Sequence, residues 1–400
     1  MVKVLGQKAP RIQQALLELA FSRQTIETAE QSENIRLLDA GIRAATLTRE
    51  QRHLLLKLSK PAIFGQMSES SQAAIQRFHK RTLFRNALAL TQLYRLELAL
   101  YECGYEQMIG LKGLAAIAHA GGDVGSRYMS DVDVLIPNLQ KRPEEALRIF
   151  ESLGLTRDGS NFRSITLRLA RELKFDLHWY LHDWALDPCL VDLAREQSVT
   201  KTVCGVGVRV LCLEHHLAHT ISHGIFSVNE INSRWVFDVL TALQCTELVD
   251  VDRFCEYANR LAAPKSVGDA LIALTRELPA EIEIDRSVLM EMAGRIKPKS
   301  RLIYWLHNRS LVISDSAQGK VRPSSLSFIK QILNSFVYLP WVARRNGQST
   351  YWQYWGWRQS FPPPPVWVCV RNFGRELWHR GPLKLMSVLL RRTRASHSHK

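Results

Sequence analysis

Between Ala87 and Pro137 the apolar residues change their period, and that change narrows the possible folds sharply. Over ALALTQLYRLELALYECG, starting at Ala87, they recur at helical spacing. MIGLK follows as a short apolar run with glycine near its end, and DVDVLI from Asp131 to Ile136 alternates acid with apolar residue, the period of a strand. The pattern continues through a helix over PEEALRIFESLG and strands over SITLRL, KFDLHW and VRVLCL. Such alternation predicts an α+β fold, a mixed sheet with helices packed on it. Helical regions flank it on both sides. Upstream, Ile12, Leu16, Leu17 and Leu19, then Ile35, Leu37, Leu38 and Ile42, keep helical spacing, and beyond Leu213 the helical pattern returns. The expected division is a helical region over 1–84, an α/β domain over 85–212, a helical domain over 213–310 and an extension over 311–400.

Period-2 geometry places Asp131 and Asp133 on one face of their strand, with Val132, Val134 and Ile136 on the other. Two close carboxylates repel each other unless a cation lies between them, so a divalent metal site is one explanation. A strand edge with two solvated acids is the other. In KFDLHW the same geometry puts Asp176 and His178 on one face.

Leu111, Lys112 and Gly113, a short helix, then Arg127, Ser130, Asp131 and Asp133 make a pattern that resembles the polymerase-β-like nucleotidyltransferase superfamily. Within it, the chain is most similar to a bacterial nucleotidyltransferase group with a Leu-Lys-Gly and Arg-x-x-Ser-Asp-x-Asp signature. The resemblance implies a nucleotidyltransferase-fold sheet and Mg²⁺- or Mn²⁺-dependent transfer of a nucleoside monophosphate from an NTP to a hydroxyl. Asp131, Asp133 and Asp176 would be the metal-binding and catalytic carboxylates, Asp176 arriving from a later strand. Lys112, Gly113, Arg127 and Ser130 would meet the nucleotide, with Lys112 and Arg127 neutralising phosphate charge. Relatives also carry a His-Gly pair and an Arg-Trp pair with a following Asp. His223, Arg234 and Asp238 fit those positions and, with His178, are candidates for the cleft or the acceptor. At i, i+4, Arg234 and Asp238 also fit a simple helix ion pair. The chain departs from most active members in having Lys112-Gly113-Leu114 where they have Gly-Ser. The alternative function is therefore a nucleotide-binding or scaffold protein without turnover.

His215, His219 and His223 follow one another at i+4, the spacing of zinc-binding helices, but His216 stands where such a motif needs its glutamate base. A polar helix face lining the cleft is the preferred expectation. Seven cysteines without a Cys-x-x-Cys pair read as reduced thiols of a cytoplasmic chain, not as a disulfide framework or zinc ribbon. No apolar run is long enough to span a bilayer, and the N-terminus does not read as a secretory signal.

Charge is concentrated at one end. Residues 301–400 hold 16 Lys and Arg against only Asp315 and Glu376, while the whole chain carries +15. Seven of the ten tryptophans lie in the same stretch. Cations interleaved with aromatics suit an anionic membrane surface or a nucleic acid, and equally a folded helical appendage with a solvated face. Expected partners are an NTP, an acceptor and one of these anionic surfaces, the membrane option placing the chain at the inner face.

Overall fold

The computed structural model describes residues 15, 18–21, 29–44, 55–56, 61–160, 164–169, 173–181, 188–226, 234–245, 248–261, 264–280, 282 and 284–297. The basic, Trp-rich stretch 301–400 and the expectations attached to it lie outside them.

Helix α1 (Ala29–Arg43) buries Ile35 and Leu38, as their spacing predicts. Its Asp39 accepts hydrogen bonds from the Ser68 backbone N–H (3.0 Å) and hydroxyl (2.7 Å), and Ser68 in turn caps α2 (Glu69–Glu102). Helix α2 is one continuous element of 34 residues, so the periodicity seen from Ala87 begins well upstream of it and runs through residue 84. Its buried stripe, Thr82, Asn86, Ala89, Leu93, Leu96 and Leu100, steps by three and four.

The chain then enters the sheet. Strand β1 (Ile109–Gly110) leads into α3 (Lys112–His119), followed by β2 (Val132–Leu135), α4 (Pro143–Ser152), β3 (Thr156–Ser160), β4 (Ser164–Leu169) and β5 (Leu173–His178). Helix α5 (Pro188–Glu196) precedes β6 (Val199–Val203) and β7 (Val206–Val210). Among the described residues seven strands form one mixed sheet in the order β3-β4-β5-β2-β1-β7-β6. Strand β2 runs parallel to β5 and antiparallel to β1, which runs parallel to β7.

All five strands expected from apolar alternation form, together with the helix over PEEALRIFESLG. Strands β3 and β6 were not expected. They are the two edges of the sheet, and TRDGS and VTKTV carry little apolar signal because an edge strand has less to bury.

Helices α6 (Leu213–Phe226), α7 (Arg234–Gln244), α8 (Val251–Arg260), α9 (Pro264–Glu277) and α10 (Arg286–Arg295) complete the α+β architecture. Among the described residues two apolar cores result. One joins α2, α3, α4 and the sheet through residues such as Leu96, Val134, Phe150 and Phe175; the other joins α6 to α10 with α1 through Leu38, Leu217, Leu240 and Phe254. Helix α3 packs against α6 and α7, so the glycine turn lies where the two cores meet. Among the described residues no helix is long and apolar enough to cross a membrane.

Candidate active site

The parallel register of β2 and β5 sets Asp133 opposite Asp176 and Leu135 opposite His178. Register partners on neighbouring strands share a face, and His178 lies two residues beyond Asp176, so Asp133, Asp176 and His178 converge. One ligand atom from each lies within 4.8 Å of the others. His178 Nε2 is 3.1 Å from Asp133 Oδ1 and 3.2 Å from Asp176 Oδ2, and Thr166 on β4 donates to Asp176 Oδ1 at 3.2 Å. Asp131 stands just before β2 and accepts from the Ser130 hydroxyl at 2.7 Å.

Electrostatics tie the four together. The Asp133 carboxylate raises the pKa of Asp131, and burial adds to the shift. For Asp133, burial works upward, yet Lys112 and His178 outweigh it and hold the carboxyl below its ordinary range. Burial depresses His178, but Asp176 and Asp133 prevail and raise it. Cationic partners thus keep Asp133 ionised at only 4% exposure.

Lys112 opens α3 and places its ammonium against Asp133 Oδ1. Its backbone is left-handed at φ +42°, a conformation that a residue with a side chain rarely adopts. Next to it, Gly113 makes room for Arg127: a Cβ there would lie 2.2 Å from Arg127 Nη1. Arg127 then reaches α7, where its Nε and Nη2 each donate to one oxygen of Asp238 at 2.7 Å. Spacing offered Arg234 as the partner of Asp238; the tertiary fold supplies Arg127, 111 residues away in sequence. Arg127, Arg234, Phe237 and Asp238 line a small open cleft between α3 and α7.

The histidine face of α6 needs correction. His215, His216 and His219 do not line the cleft but are fully buried, and His215 stacks on Tyr257 with ring centroids 4.5 Å apart. His223 is partly exposed, 6.2 Å ring to ring from His219. Among the described residues the only group of ligands close enough to hold a metal is Asp133, Asp176 and His178, so the zinc spacing on α6 does not assemble a site. The Gly224 and Trp235 positions carry a packing role: a Cβ on Gly224 would lie 2.2 Å from the Trp235 ring, which needs that space where α7 meets α6.

Two supporting residues escaped sequence reasoning. Arg85 donates to the backbone carbonyls of Met129 (3.2 Å) and Ser130 (2.9 Å), and buried Asn86 donates to those of Val124 and Arg127, both at 2.7 Å. Together they hold the loop before β2 against α2. A signal existed: Asn86 is a polar residue on a helix stripe that is otherwise mainly apolar.

The family model described as "Uncharacterised nucleotidyltransferase" matches residues 39–278. One solved structure that resembles the chain is that of the antibiotic-resistance factor ANT(2'')-Ia, with 16% identity and a TM-score of 0.33 over 42% of this chain and 88% of that one. No curated protein matches. With a mixed sheet that brings its acids together and a match over more than half its length, the chain belongs to the family of uncharacterised nucleotidyltransferases.

Proposed function

We propose that this chain transfers a nucleoside monophosphate from an NTP to a hydroxyl of an acceptor, with Mg²⁺ or Mn²⁺ as cofactor. The observation that carries the proposal is the pairing of Asp133 with Asp176 across two parallel strands, with Asp131 electrostatically coupled to both. The donor set fits a divalent cation. Carboxylate oxygens are the hard ligands such ions prefer, the His178 nitrogen is compatible with Mn²⁺, and the Lys112 ammonium already stands among them as a cation. Asp133, Asp176 and His178, whose donor atoms converge, would hold the metal, and Asp131, just before β2, would complete the acidic set around it. A bound metal would stabilise charge on the attacking and leaving oxygens.

The remaining work falls to the chain itself. The acceptor oxygen forms a bond to the α-phosphorus, the bond to the bridging oxygen of pyrophosphate breaks, and the hydroxyl proton passes toward Asp176. Lys112 and Arg127 offset triphosphate charge, and Gly113, which makes room for the Arg127 guanidinium, would present its backbone N–H to the phosphates at the start of α3, whose own first turn carries no acid. Ser130 holds Asp131, while the cleft with Arg234 and Asp238 takes the base or the acceptor. A small molecule, glycan precursor, peptide or RNA would supply the hydroxyl, and residues 301–400 would contact an anionic membrane surface or nucleic acid.

One observation favours a second reading, binding without turnover: Lys112 and His178 both occupy Asp133 Oδ1. Incubation with each labelled NTP, divalent metal and cell extract separates the two. Label transferred to a discrete acceptor by the wild type and lost in Asp133→Asn supports transfer. Thermal stabilisation by an NTP with no label transfer and no pyrophosphate release, in Mg²⁺ and in Mn²⁺, would overturn it in favour of binding alone.

A further inference from the structure

We propose that Lys112 is an internal counter-cation that occupies Asp133 in place of a metal and leaves it when a triphosphate arrives. The inference rests on the metal-dependent reading of the acid cluster and deepens it. Three facts support it. The Lys112 ammonium lies on Asp133 Oδ1, the oxygen that His178 Nε2 also approaches at 3.1 Å, so that this atom already has two donors. The contact is made from a left-handed backbone, φ +42°, at a position where the chain has no glycine to relieve it, so the lysine is held at the acids by the surrounding fold. Finally, the lysine opens a helix whose capping residue, Leu111, offers no side-chain hydrogen bond and whose first turn has no acid. A phosphate at that end of α3 would meet the backbone N–H groups of Lys112 and Gly113 and draw the ammonium to itself.

A lysine is suited to such an exchange. Its charge is a point on a flexible four-carbon stem, and its side chain keeps 19% exposure, so it can swing between carboxylate and phosphate without the helix moving. Without the ammonium, the Asp131, Asp133 and Asp176 carboxylates repel one another, and a divalent cation relieves the repulsion. Lysine and metal therefore compete for Asp133. Because the triphosphate removes the competitor, metal and nucleotide strengthen each other's binding, and by linkage the coupling is reciprocal.

The test is Mn²⁺ binding to the full chain, read by electron paramagnetic resonance as loss of the free-ion signal, with and without a non-hydrolysable NTP analogue. Lys112→Met is expected to bind Mn²⁺ about tenfold more tightly than wild type in the absence of nucleotide. Lys112→Gln, a second neutral variant, should follow it, and Lys112→Arg should stay near wild type. Equal or weaker Mn²⁺ binding by the folded neutral variants would overturn the exchange while leaving the metal site standing. Absence of Mn²⁺ binding by every protein, with or without the analogue, would overturn the metal-dependent reading and the exchange with it.

Discussion

Removing the Asp238 carboxylate strands Arg127 at the junction between the acid-bearing sheet and the helical core. The pair is bidentate, two bonds of 2.7 Å, and its side chains are only 21% and 12% exposed. Two unit charges about 4 Å apart at an effective dielectric of about 20 attract by about 4 kcal/mol before desolvation is counted. Exposed pairs retain about 0–1 kcal/mol, whereas deleting one partner of a buried pair costs about 3–5 kcal/mol because the other charge stays desolvated. At these exposures the site lies toward the buried end, so Asp238→Asn should cost about 2–4 kcal/mol. For a domain of this size that is a fall in Tm of about 4–16 °C, measurable by differential scanning fluorimetry and checked by urea titration. The double variant Arg127→Met/Asp238→Leu removes both charges together and should lose less than the sum of the single variants. Strict additivity, or a single-variant loss below about 2 °C, would refute the claim that this pair joins the two cores.

Three further outcomes follow from named contacts. Burial and the charges of Arg253 and Arg260 lower His215 to about 4, and burial with His119 and Arg127 lowers His216 well below 6.5. The stability gained from keeping them neutral is complete above the unfolded value near 6.5 and falls with pH below it, by up to about 1.4 kcal/mol per pH unit for each group. His215→Phe, which keeps a ring against Tyr257, should flatten the acid limb of stability against pH; an unchanged limb would contradict this. Asn86→Ala strands the buried Val124 carbonyl and the half-buried Arg127 carbonyl and should cost about 1–3 kcal/mol, with faster hydrogen exchange over 124–130 as the specific readout. Gly224→Ala forces a methyl into the Trp235 ring and should destabilise by about 1–3 kcal/mol, with a shift in tryptophan emission; wild-type stability would mean that α6 and α7 do not interlock as described.

Much of this protein is legible in its sequence. Alternation in DVDVLI and KFDLHW placed Asp133 and Asp176 on strand faces, because side chains on a strand alternate whatever surrounds them, and helical spacing located α1, α2 and α4 for the same local reason. The Lys112-Gly113 pair, through the family resemblance, pointed to the strand-to-helix junction. The histidines of α6 misled, since identical i+4 spacing describes a metal-binding face and a buried stripe, and only the packing of Tyr257 and its neighbours separates the two. Edge strands β3 and β6 left little apolar signal because they have little to bury.

By itself, then, the sequence determined the inner strands, the helices with a regular apolar stripe and the strand faces of Asp133, Asp176 and His178, properties set by backbone geometry within a few residues. Tertiary structure decided which faces meet. The register that sets Asp133 against Asp176, the approach of His178 to both, the Arg127–Asp238 pair and the fixing of the β2 loop by Arg85 and Asn86 all join residues far apart in the chain. Their pairing depends on strand order and helix packing, for which local period carries no information.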